Sequence, residues 1–86
     1  MYLCCDRVNY GTERDTTDYI LDGKVLTVHT LTLDRSSHTN THNQWHCELS
    51  NEVINELQSM TEEQRLEYLL KHQPELNQNA IHNKEI

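Results

Sequence analysis

His38, His42 and His46 recur every four residues in the stretch Ser36–Ser50, and Cys47 follows the last of them directly. Imidazole and thiolate are the usual ligands of zinc, so this series is the first place to look for chemistry. One ion needs its donor atoms within about 4 Å of one another, because metal–nitrogen bonds are about 2.0–2.1 Å long. On a helix, positions i and i+4 are neighbours about 5–6 Å apart at Cβ and can share an ion. On a strand the same two positions share a face but stand about 13 Å apart, at about 3.3 Å per residue. The intervening residues are Thr, Asn, Gln and Trp, which are poor material for a helix interior and form no apolar stripe. The reading is therefore loop followed by strand, with the histidines spread along a wet face. A zinc module built on His38, His42, His46 and Cys47 stands as an alternative, and no cofactor is expected.

His46 and Cys47 are strand neighbours whose side chains diverge, so they do not form a base and nucleophile. His29 sits among apolar strand residues and reads as a hydrogen-bonded sheet histidine. The sequence contains no nucleophile elbow, phosphate-binding glycine loop, dinucleotide fingerprint or paired-histidine zincin motif. The expectation is a protein that is not an enzyme.

The elements that carry these residues follow from the patterning. Tyr2, Cys4, Val8 and Tyr10 share one parity, giving a first strand with Asp6 as a break. Gly11–Thr17 reads as a polar loop. Asp22-Gly23, between Tyr19-Ile20-Leu21 and Val25-Leu26-Thr27-Val28, predicts a hairpin closed by a type I′ turn. The second of these strands runs towards Leu33, and its switch of apolar parity after Val28 requires either a bulge near His29-Thr30 or two buried faces. Asp34–Gln44 reads as a turn or long loop. Trp45, Cys47 and Leu49 then mark the inward face of a last strand.

Helices follow. Ser50 is an N-cap, and Leu49 with Ile54 has the spacing of a hydrophobic staple. Val53, Ile54, Leu57 and Met60 make one apolar stripe, and Thr61–Gln64 has the form of a capping box opening a second helix with Leu66, Leu69 and Leu70 buried. Pro74 is read as the end of that helix. The expected fold is α+β: a small antiparallel sheet of three to four strands, then two C-terminal helices on one face. A single domain occupies 1–73, and 74–86 is a polar tail, either weakly helical or disordered.

Composition limits the function classes. In 86 residues, 35% are hydrophobic and none is Phe, and mean hydropathy is −0.83. A chain this short and polar has a marginal core, which leaves a homodimer or another homo-oligomeric regulatory or structural assembly as a second alternative. Fourteen acidic residues stand against seven basic ones, a net charge of −7. Direct nucleic-acid binding, which needs clustered Lys and Arg, is disfavoured. No apolar run approaches the ~20 residues of a membrane span. Met1–Arg7 lacks the regions of a secretory signal, and three cysteines make an odd set, so a reducing, cytoplasmic setting is expected.

The strongest surface signal is acidic. Glu48, Glu52 and Glu56 follow at intervals of four, Glu63 and Glu67 repeat the spacing, and the basic residue of the Glu48–Glu67 run is Arg65 alone. Like charges at i,i+4 on a helix cost a few tenths of a kcal/mol each, about 0.2–0.5, so stability alone does not select them. The expected function is a protein-binding module that meets a partner's basic surface with these glutamates and with Tyr68 as an aromatic anchor. Small acidic chains of this composition are common among phage and mobile-element inhibitors of host proteins, nucleic-acid mimics included. The likeness is one of composition only.

Overall fold

The computed structural model describes residues 1–78 and residue 80. Four strands, β1 (Tyr2–Tyr10), β2 (Glu13–Asp22), β3 (Val25–Asp34) and β4 (Thr39–Glu48), precede helices α1 (Asn51–Ser59) and α2 (Glu62–Gln78). The strands pair in sequence order as an antiparallel meander, and the helices lie on one face, giving the expected α+β arrangement.

Every connection in the sheet is short. Glu13–Thr17, read as loop from its polar sequence, is the first half of β2, and the turn shrinks to Gly11-Thr12. Gly11 has φ +66° and carries the positive angle alone, as the first central residue of a type II′ turn does. The second hairpin corrects the type I′ expectation in the same way. Asp22 pairs with Val25 inside the ladder, so the loop is Gly23-Lys24, with Gly23 at φ +64°. Both glycines sit where an L side chain is strained.

The third loop is Arg35–His38, and Thr39–Gln44 belongs to β4 rather than to a long loop. The Asp34 carboxylate accepts from Ser36 N at 2.9 Å and Ser36 Oγ at 2.7 Å, and these bonds hold its pKa below the ordinary carboxylate value. The register of β3 is unbroken against both neighbours, so the parity switch after Val28 needs no bulge. Leu26 and Val28 face the helices, while Leu31 and Leu33 lie half-buried on the opposite face of the sheet. The irregularity lies instead in β1, between Tyr2 and Cys4. The extra residue turns both Leu3 and Cys4 into the core and leaves Tyr2 exposed, so the single parity expected across Tyr2, Cys4, Val8 and Tyr10 breaks at its first member.

The core consists of Leu3, Cys4, Tyr19, Leu21, Leu26, Val28, Cys47, Leu49, Leu57 and Leu69. All of its sheet residues lie towards the helices and near the end of the sheet where β1 begins. Beyond Val28 the strands continue for six further residue pairs with no buried residue on either face among the described residues.

The helices start as the sequence predicts. Ser50 Oγ accepts from Val53 N at 3.3 Å. In the capping box Thr61 Oγ1 accepts from Gln64 N at 3.2 Å, and Gln64 Oε1 accepts from Thr61 N at 3.0 Å. Pro74, however, lies within α2, which continues to Gln78. Proline costs a helix one hydrogen bond and a clash with the carbonyl four residues earlier, and Leu76, partly buried against the core, anchors the extension. Leu70, expected on the buried face, is 44% exposed, so Leu69 carries that role. The part of the expected tail at 79 and 81–86 lies outside the described residues.

Candidate functional site

The acidic run is built on the two helices. Glu52 and Glu56 are exposed on α1, and Glu62, Glu63 and Glu67 are exposed on α2. Arg65 lies among them in sequence, and its guanidinium is bonded to backbone carbonyls. Its Nε donates to Leu57 O at 2.7 Å, Nη1 to Leu3 O at 3.5 Å and Nη2 to Gln58 O at 3.4 Å. These carbonyls are the end of α1 and the bulge of β1. Helix α1 has no basic residue in its own last turn, so Arg65 supplies the positive charge its C-terminus lacks. The one ion pair among the described residues is His72 Nδ1 to Glu75 Oε2 at 4.0 Å, leaving the glutamates at 52, 56, 62, 63 and 67 without a cationic partner.

Along α2 a surface groove of about 480 Å³ is lined by Met60, Gln64, Glu67, Tyr68, Lys71 and His72. Tyr68 is the half-buried aromatic of this groove and stacks on His72, with ring centroids 4.3 Å apart. Burial raises its pKa, and the charges of Glu56 and Glu75 raise it further. Glu48 is set apart. It pairs with Val25 and shares the parity of His46, on the sheet face away from the helices.

The register adds carboxylates that the sequence reading passed over. Asp6, Glu13, Asp15 and Asp34 stand in line with Tyr19 and Val28, on the helix side of the sheet. Arg7 and Arg14 occupy the opposite parity, with His29, His42 and His46. The one trace of this in the sequence is an alternation of charge, Glu13-Arg14-Asp15, inside a stretch read as loop.

The histidine series does not converge. His38 is in the β3–β4 loop with φ +55°, while His42 and His46 lie on the open sheet face. His46 Nδ1 is bonded to Thr27 Oγ1 at 2.9 Å. Cys47 points the other way into the core, and burial raises its pKa, as it does for Cys4 (to about 11) and Cys5. These are protonated thiols rather than ready metal ligands. Among the described residues no group of three or more His, Cys, Asp or Glu is placed to hold a metal ion. His29, read as a hydrogen-bonded sheet histidine, lies in β3 with its Nε2 3.1 Å from His42 Nδ1.

Comparison with known protein families, with curated proteins and with solved structures finds no match to this chain. Among the described residues no helix is long and apolar enough to cross a membrane.

Proposed function

We propose that this chain is a non-enzymatic protein-binding module whose helical face occupies a basic surface of a partner. The observation that carries the reading is the placement of Arg65. Arg65, the one basic residue of the Glu48–Glu67 run, is committed to the carbonyls of Leu57, Gln58 and Leu3 rather than to these glutamates. Glu67 lines the groove in which Tyr68 supplies an amphipathic anchor, with Lys71 and His72 beside it, and Glu52, Glu56 and Glu63 are exposed elsewhere on the helices. Aromatic anchors in partly desolvated pockets carry a large share of binding energy, and surrounding charges set the rate of encounter and the choice of partner. A partner surface that ordinarily holds nucleic acid has the complementary chemistry, and an inhibitor of such a protein, encoded by a phage or mobile element, is the biological role that fits.

Affinity capture from the lysate of the native host, at low and at high salt, tests this reading. It predicts a basic partner retained at low salt and released at high salt, because exposed charge interactions are screened within about 10 Å at 0.1 M salt. A partner retained equally at both salts contradicts it.

A further inference from the structure

Antiparallel pairing places His29 of β3 opposite Gln44 of β4, so His42 is its diagonal neighbour on the open face. The two rings meet with centroids 5.2 Å apart and planes inclined by 37°, and His29 Nε2 lies 3.1 Å from His42 Nδ1. With metal–nitrogen bonds of about 2.0–2.1 Å, two nitrogens in adjacent positions on a tetrahedral or octahedral ion stand about 2.9–3.4 Å apart. The pair thus already has the separation of a chelate. We propose that His29 and His42 form a two-ligand site for a divalent transition-metal ion, with solvent completing the coordination.

Imidazole selects borderline first-row ions such as Ni(II), Cu(II) and Zn(II) over Mg(II) and Ca(II). The proton now shared between the rings moves to the outer nitrogen of its own imidazole, so each ring offers a lone pair and the neutral pair releases no proton. His46 stays outside the site, because Thr27 Oγ1 and Gln44 Nε2 occupy its two nitrogens at 2.9 Å and 3.3 Å. The chelate bridges β3 and β4 beyond Val28, where the sheet has no buried residue among those described. A metal clip there supplies what a small domain lacks in core. The site lies on the face away from the acidic helices and is independent of the partner-binding reading.

Titration of the protein with Ni(II) tests this, followed by thermal melting and by the imidazole proton resonances. Ligand at about a hundredfold above its Kd raises the melting temperature of a domain this size by roughly 15 °C. The rise is expected in the wild type and in His46→Asn, and it is expected to vanish in His29→Asn and in His42→Asn. In the wild type the His29 and His42 ring signals shift or broaden before those of the other histidines, a readout that needs no variant to fold. An unchanged melting temperature in the wild type, a rise that survives both substitutions, or first perturbation at another histidine overturns the proposal.

Discussion

Arg65 of α2 donates its Nε proton to the carbonyl of Leu57, 2.7 Å away in the last turn of α1. The same guanidinium reaches Gln58 O and Leu3 O at 3.4 and 3.5 Å, so one side chain ties both helices to the first strand. The arrangement closes the C-terminus of α1 and engages the one basic residue of the Glu48–Glu67 run. Stability and surface charge thus depend on the same residue.

Replacing Arg65 with Met tests the first half of that statement. Hydrogen bonds to charged groups contribute about 1.5–3 kcal/mol each, and only the Leu57 bond is short, so the expected loss is about 2–3 kcal/mol by urea denaturation. Arg65→Lys recovers only part of it, since an ammonium lacks the planar fork that serves three carbonyls. Full stability in Arg65→Met would show that the carbonyls are satisfied by water instead.

The buried thiols predict weakening in alkali. An unfolded cysteine ionises near pH 9.0, whereas desolvation pushes Cys4 up to about 11 in the fold. Below pH 9 the thiol is neutral in both states and its contribution is fully present. As pH rises from 9 towards 11 the unfolded chain loses protons first, and stability declines through that window. Chemical denaturation at stepped pH should show the decline, smaller in Cys4→Ala once its lower starting stability is subtracted. In the native protein a neutral alkylating reagent should modify the half-buried Cys5 before Cys4 and Cys47.

Pro74 breaks the backbone hydrogen bonding of α2 from within. Pro74→Ala restores the bond to the carbonyl of Leu70 and removes a penalty of up to about 3 kcal/mol. Helix ends open independently of the core, so the gain should appear as slower amide exchange at residues 74–78 rather than as a large change in global stability. Unchanged exchange there would mean that the proline is accommodated without cost.

The parts of the fold that were legible in the sequence are those in which one face is buried. Trp45, Cys47 and Leu49 alternate because the helices cover one side of β4, and the capping pairs at Ser50 and Thr61 are local bonds that the sequence spells out. Glu13–Thr17 and Thr39–Gln44 misled because both faces of that half of the sheet are free of buried residues, so the alternation of apolar and polar positions disappears while Thr keeps its preference for strands. Leu3 was invisible because a bulge abolishes parity, and Pro74 misled because packing of Leu76 outweighs a local penalty. The acidic intervals on the helices were readable. The inward turn of Arg65 and the meeting of His29 with His42 were not, because each depends on a contact between distant segments.

A charge-reversal series compares the helical surface directly with the opposite face of the sheet. Glu52→Lys, Glu56→Lys, Glu63→Lys and Glu67→Lys lie on the helices, whereas Glu48→Lys lies on the opposite face of the sheet. The measurement is the affinity of each variant for the captured partner, at fixed low salt, with circular dichroism confirming the fold. Each helical reversal is predicted to weaken binding, with Tyr68→Ala weakening it further through loss of the anchor, while Glu48→Lys leaves affinity unchanged. Equal affinity across the helical variants, or a loss confined to Glu48→Lys, would contradict the assignment of the helical face as the binding surface.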